Sequence, residues 1–175
     1  MPRGGVASTN TETTTASQQR RFEPDGITIV GTATRSATEI AHLKQLVTKD
    51  LNALSDMVRR SGNIELNERM SSLTIELDLD DWSKKYAGTQ AAFGYGQAHF
   101  DSNRILLSAQ KVNDANSMHD RVEHTVHEIF HLTERNNFMK SMSEGRASDP
   151  IEANARQLAD DFMKKYWRAE YEFAK

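Results

Sequence analysis

The sequence predicts a single α+β domain in which a small mixed or antiparallel sheet is combined with a few long helices. Residues 40–58 repeat apolar side chains at helical spacing, and residues 73–80 alternate apolar with acidic or hydroxyl side chains as a half-buried strand does. Two more helical patterns follow, after residues 117 and 149. The 175 residues suffice for one sizeable core. We therefore expect one folded domain over residues 23–175.

Residues 1–22 are rich in Thr, Ser, Gly and Gln and contain little that could be buried. Such a segment cannot offset the entropy lost on ordering, so we predict a disordered tail with Arg20 and Arg21 solvated. A turn signal at residues 23–26 then leads into a predicted strand at residues 27–34, where β-branched side chains are dense.

An N-terminal scaffold helix should follow this strand. Ser36 and Glu39 have the spacing of a capping box, and the helical pattern continues from there to Gly62. Downstream, residues 81–97 read as a long loop. Residues 98–108 read as a hairpin that turns at residues 101–103, because Asp and Asn tolerate tight turns.

A predicted helix over residues 118–135 carries an HExxH sequence, with Ser117 as its cap. On an α-helix His127 and His131 lie one turn apart on the same face, where each imidazole can give one nitrogen to the same zinc ion. Glu128 lies beside them and can take a proton from a water molecule at such a metal. The pattern therefore predicts a zinc site. A solvated helix face of His and Glu side chains is the alternative, since it could have the same HExxH sequence.

A catalytic zinc takes a third protein ligand, and the last helix offers Glu152. This helix should begin at Asp149 and Pro150, and Glu152 stands at the edge of its apolar stripe. A carboxylate that points partly inward needs a partner or a metal. Asp149 and Glu152 also have the spacing of a capping box, so the local pattern leaves both interpretations open.

The run from Glu152 through Ala155 and Leu158 to Ala159 resembles the E-x-x-A-x-x-F-A signature of the ImmA/IrrE-type metallopeptidases, where it follows an HExxH helix. The strand-like residues 99–108 are also similar to the strand that precedes the active helix in that family. The resemblance implies a zincin-like domain with His127, His131 and Glu152 as zinc ligands and Glu128 as the catalytic base. This chain departs from the family pattern at Phe130, where Gly or Ala is usual, and at Leu158.

Zinc peptidases usually need a second electrophile to stabilise the oxyanion, and three side chains are candidates. His124 shares the face of His127, and Tyr95 lies between two glycines in a loop that could reach the metal. His99, on the strand before the helix, could also contact a substrate that adds to the sheet edge. Each has a plain alternative as a solvated or structural side chain.

These observations predict a zinc-dependent metallopeptidase that acts on a specific protein or peptide substrate. The alternative is a binding or effector module whose metal site is structural or vestigial; a zinc hydrolase of non-peptide substrates would share the same chemistry. A net charge of −3 argues against direct nucleic-acid binding by the folded domain. The absence of cysteines leaves only His and carboxylate ligands, and we expect a cytoplasmic protein without a membrane segment.

Overall fold

A four-stranded mixed sheet forms the centre of the fold. The computed structural model describes residues 19–133 and 149–174. In spatial order β1-β2-β4-β3, the first three strands run parallel, and β3 pairs antiparallel with β4 at the edge. This confirms the α+β class and the mixed sheet. The strands are β1 (Ile27–Val30), β2 (Thr74–Asp78), β3 (Gly96–His99) and β4 (Arg104–Ser108).

The described part contains six α-helices: α1 (Ala37–Ser61), α2 (Ile64–Ser71), α3 (Trp82–Lys85), α4 (Ala109–Asp114), α5 (Met118–His131) and α6 (Asp149–Tyr166). Short 3₁₀ segments lie at Pro24–Gly26, Gln90–Phe93 and Ala169–Phe173. The three long helices α1, α5 and α6 are those that the sequence pattern predicts, whereas α2, α3 and α4 were not predicted. None of the helices in the described ranges is long and apolar enough to cross a membrane.

The scaffold helix α1 has the ends that its sequence predicts. The Ser36 side chain accepts a hydrogen bond from the Glu39 backbone N–H at 3.1 Å, which caps the first turn. At the other end Gly62 adopts a left-handed conformation with φ of +68°, which glycine reaches without steric cost. The apolar stripe between these caps, including Leu43, Val47 and Leu51, is buried.

Strand β1 is shorter than predicted because the chain turns at Gly31. This glycine has φ of +95°, and a Cβ atom there would lie 2.5 Å from the Asp78 Oδ1 atom. The Asp80 carboxylate then accepts hydrogen bonds from the backbone N–H groups of Thr32 and Ala33 at 2.7 and 2.8 Å. Residues 31–34 therefore bend away and are held by Asp80, two residues after the end of β2, instead of extending β1.

The segment before the hairpin is less of a loop than its glycines suggested. Trp82, in α3, is buried and donates its indole N–H to Asp78 Oδ2 at 2.9 Å. The hairpin itself is confirmed, although β3 begins at Gly96, two residues before the predicted start. Asn103 supplies the left-handed turn residue, with φ of +46°.

The predicted tail boundary at residue 22 is wrong for the residues that the structure describes. Phe22 is buried in the core, and the Asn52 side chain accepts a hydrogen bond from its backbone N–H at 2.7 Å. Arg20, expected in solvent, donates to the carbonyl oxygens of Met70 and Leu73. The packed domain therefore includes residues 20–22, and residues 1–18 lie outside the described part.

Candidate metal centre

The helix that carries the HExxH sequence, α5, is buried on one side and capped at both ends. The Ser117 hydroxyl accepts a hydrogen bond from the Asp120 backbone N–H at 3.1 Å, as predicted. The helix ends at His131, four residues before the predicted end at residue 135. It ends because the N–H groups of Leu132 and Thr133 bond to carbonyls only three residues back, which tightens the last turn. His131 therefore lies at the C-terminus of α5.

Three side chains converge near the C-terminal end of α5. The Nε2 atoms of His127 and His131 lie 3.1 Å apart. The Glu152 carboxylate, from α6, places Oε2 3.1 Å from the His127 nitrogen and Oε1 2.9 Å from the His131 nitrogen. The structure thus brings together the three residues predicted as zinc ligands, in a group whose donor atoms all lie within 4.8 Å of one another.

The protonation of this group indicates that it suits a cation. If both Nε2 atoms carried a proton, two N–H groups would face each other at 3.1 Å. If only one did, the lone pair of the other imidazole would face a carboxylate oxygen. Hydrogen bonds with the two histidines hold the pKa of Glu152 well below its usual range, against the opposing effect of burial, so this carboxyl group is ionised. A single cation would accept all three lone pairs at once. Two imidazole nitrogens and a carboxylate oxygen are also a common ligand set for catalytic zinc.

Glu128 lies next to this cluster and is almost completely buried, with 7% of its surface exposed. Burial raises its pKa to about 7, and the nearby charges of His131, His127 and Glu152 also act on it. A carboxyl group with a pKa near neutrality suits a general base that must both accept and return a proton. The structure places Glu128 next to the cluster, and its role as the catalytic base stays a prediction.

Glu152 reaches the cluster because α6 packs against α5. Ala155 and Ala159 are buried on the side of α6 that carries the predicted apolar stripe. Phe130 of α5 meets Phe162 of α6 edge-to-face, with ring centroids 5.9 Å apart. The bulky Phe130, which departs from the family pattern, thus has a packing role between the two helices. The Asp149 side chain lies outside the described residues, so the capping alternative stays untested.

Two of the proposed oxyanion donors lie together. The ring of Tyr95 stacks on that of His124, with centroids 4.9 Å apart and planes 13° from parallel. His124 is exposed as a whole residue. Burial of part of its ring nevertheless lowers its pKa. The Tyr95 hydroxyl, in contrast, is buried near Asp50, Arg121 and Thr125 and makes no hydrogen bond of regular geometry in the described part of the chain. Burial is the main reason that its pKa is raised. The phenol ring therefore supports His124, and its hydroxyl faces the interior instead of the cluster.

His99 lies on β3 opposite Arg104 of β4. Side chains alternate along a strand, and Ala98 packs on the core, so His99 is on the other face of the sheet from α5. Its neighbours there are Arg104 and Glu76, and burial lowers its pKa. The structure does not bring His99 to the cluster, and a contact with a substrate at the sheet edge stays a prediction.

The predictions made from the sequence did not include two features of this region. Gly96 faces Glu128 so closely that a Cβ atom there would lie 3.0 Å from the Glu128 Cγ atom. A glycine inside a strand often marks such a close approach, so the sequence could have indicated this contact. Asp50 is buried on α1 and pairs with Arg121 of α5. Its place within the apolar stripe of α1 could have predicted a buried ion pair.

Comparisons of this chain with models of protein families, with curated proteins and with solved structures find no match.

Proposed function

We propose that this protein is a zinc-dependent metallopeptidase that hydrolyses a peptide bond in a specific protein partner. The observation that carries the proposal is the convergence of His127, His131 and Glu152, with the buried carboxyl group of Glu128 beside them. The resemblance to the ImmA/IrrE-type metallopeptidases supports a zincin-like domain and a peptide as the substrate.

His127, His131 and Glu152 would hold the metal in this proposal. A zinc ion with three protein ligands polarises a carbonyl group and brings the pKa of water to about 7. The ligands come from two helices, so the packing of α6 on α5 sets the distance between the carboxylate and the imidazoles. A substitution that moves α6 away from α5 should therefore weaken metal binding. It should have less effect on Glu128, which lies on α5 with the two histidines.

Glu128 would perform the proton transfers. Its carboxylate accepts a proton from the attacking water and then delivers it to the nitrogen of the leaving amine. Burial keeps bulk water away from this carboxyl group and holds its pKa near the pH at which both transfers are efficient. His124 is the best placed of the three oxyanion candidates, since it is exposed and lies one turn before His127 on the same helix.

The first experiment measures zinc and turnover in the same samples. Protein purified without a metal-affinity tag should contain about one zinc per chain. Glu128→Gln should keep this zinc and lose turnover, which intact-mass analysis of candidate partner proteins or a peptide library would detect. Glu68→Gln, an exposed glutamate on α2, is the matched control and should retain both. A chain without stoichiometric divalent metal, or full turnover by Glu128→Gln, would exclude the proposal.

A binding or effector module with a structural metal is the second candidate, and one observation favours it. The histidine side chains of the cluster are only 14% and 10% exposed. If Glu128→Gln retains metal and the full biological effect, this candidate replaces the peptidase.

A further inference from the structure

The edge strand β3 approaches the HExxH helix most closely at Gly96. An added Cβ atom at this position would lie 2.9 Å from the Leu106 carbonyl oxygen, 3.0 Å from Glu128 Cγ and 3.1 Å from Leu107 Cδ2. The first atom belongs to the backbone of β4 and is fixed by the sheet. Because real Cβ contacts are rarely this short, any side chain here must displace the strand, Glu128 or Leu107.

The glycine is not required by the backbone conformation. The described glycines with positive φ are Gly31, Gly62 and Gly88, whereas Gly96 lies in regular antiparallel register opposite Leu107. A glycine inside a strand lowers the stability of that strand, because glycine loses more conformational entropy on folding than other residues and has no side chain to pack. The position therefore needs the absence of a side chain rather than special dihedral angles, and the space is used by Glu128.

We propose that Gly96 is a positioning residue that lets the Glu128 side chain lie flat between β3 and α5 with its carboxylate at the metal cluster. This inference rests on the proposed function for its catalytic consequence. Glu128 is almost completely buried, so it has little room for another rotamer if its Cγ atom is pushed away. The bare backbone of Gly96 sets the position of the base without touching the reacting atoms.

Tyr95 strengthens this arrangement from the preceding position. Its carbonyl oxygen accepts a hydrogen bond from the Ser108 N–H at 2.8 Å, and its ring stacks on His124 of α5. The residue before Gly96 is thus attached both to the sheet and to the helix. With the backbone held in this way, an added methyl group at residue 96 cannot be relieved by moving β3 outward without breaking these contacts.

The first test is a double-mutant cycle in thermal stability and needs no substrate. Gly96→Ala should lower Tm by several degrees in the wild-type background and by clearly less in a Glu128→Ala background, where the Cγ atom is gone. Gly94→Ala is the control, because its Cβ would meet only ordinary contacts, the nearest being the Ala91 oxygen at 3.4 Å. It should change Tm equally in both backgrounds.

Failure to fold is also informative in this cycle. If Gly96→Ala does not fold alone but folds together with Glu128→Ala, the coupling between the two residues is supported. Equal losses of Tm in the two backgrounds, or failure to fold in both, would show that the Leu106 carbonyl contact dominates and would overturn the inference.

The second test asks whether the contact matters for turnover. A displacement of a catalytic group by about 1 Å can cost roughly 100-fold in rate, so Gly96→Ala should lose about this much of kcat while it retains one zinc and a similar KM. In a Glu128→Gln background the same substitution should cost no further activity. Full turnover of Gly96→Ala would overturn its positioning role. If Glu128→Gln itself does not reduce turnover, the proposed function fails, and the stability cycle still decides whether Gly96 and Glu128 are coupled.

Discussion

The guanidinium group of Arg121 donates hydrogen bonds to both carboxylate oxygens of Asp50, from Nε at 2.8 Å and from Nη2 at 3.1 Å. Both side chains are nearly buried, with 11% and 2% of their surfaces exposed. The pair joins the scaffold helix α1 to the helix α5, about two turns before His127 and about three turns before His131. A bidentate ion pair of this kind restricts both the rotation and the translation of α5. It therefore helps to fix the orientation of the two histidines.

Removing one partner of this ion pair should destabilise the fold strongly. Asp50→Ala leaves the charge of Arg121 buried without its counterion, and such losses cost about 3 to 5 kcal/mol. Urea unfolding monitored by circular dichroism would measure the change in free energy of unfolding. Lys164→Ala is the comparison, since its pair with Asp160 is exposed and screened by solvent and should contribute far less to the free energy of unfolding. Equal effects of the two substitutions would contradict a structural role for the buried pair.

The same carboxyl group should make stability depend on pH. Burial raises the pKa of Asp50 to about 6, against the opposing effects of Arg121 and Lys49. A group whose folded pKa lies above its unfolded value of about 3.9 contributes stability that is fully present below pH 4 and is lost as the pH rises through 6. Wild type should therefore lose stability relative to Asp50→Asn between pH 4 and pH 7, by an amount on the order of 2 kcal/mol.

Unfolding curves of both proteins at four or five pH values would measure this difference. Only its change with pH is decisive, because Asp50→Asn also removes the charge that faces Arg121. If the difference stays constant or grows in the opposite direction, attraction by Arg121 outweighs burial, and the ionised pair is favoured throughout.

The sequence predicted the parts of this protein that depend on local pattern. The caps at Ser36 and Ser117 follow from short-range hydrogen bonding, and the long helices and the alternating strand β2 follow from periodic burial. The same reasoning located His127 and His131 one turn apart. It left Glu152 undecided, because the capping and ligand interpretations use the same residue types at the same spacing.

What the sequence did not predict depends on contacts between distant segments. The helix α2 buries only Leu66 and Met70, which is too short a pattern to separate from a loop. Strand β1 ends at Gly31 because Asp80, about fifty residues away, binds the following backbone. The hydroxyl of Tyr95 faces the interior because Asp50 and Arg121 provide the polar surroundings there. None of these partners can be identified before the chain is folded.

The oxyanion candidates can be separated by their placement. His124→Gln should reduce turnover by about 100- to 1,000-fold without loss of zinc, since the exposed imidazole lies on the same helix as the two proposed histidine ligands. Tyr95→Phe should retain turnover. It should leave stability unchanged or raise it by about 1 kcal/mol, since it removes a buried hydroxyl that is unpaired among the described residues. Steady-state kinetics together with zinc content would measure both effects. A large loss of turnover in Tyr95→Phe, with normal zinc content, would assign the donor to the phenol instead.

Zinc should stabilise the wild-type protein by an amount that grows with the logarithm of its free concentration above Kd, because a ligand that binds only the folded state shifts the unfolding equilibrium. At a free zinc concentration a thousandfold above Kd the gain is about 4 kcal/mol, which for a chain of this size corresponds to roughly 10 °C in Tm. Glu152→Ala removes the proposed third ligand, which α6 supplies, and should abolish most of this shift.

His42→Ala is the control for non-specific binding, since this histidine is exposed on α1, away from the cluster. Its Tm should rise with zinc as much as that of wild type. Differential scanning fluorimetry of the three chelator-treated proteins, titrated with zinc, would measure the shifts. The test depends on convergence of the three groups rather than on catalysis. A zinc-dependent rise in Glu152→Ala equal to that in wild type would mean that the metal binds without α6, and the three-ligand site would have to be abandoned even if the protein hydrolyses peptides.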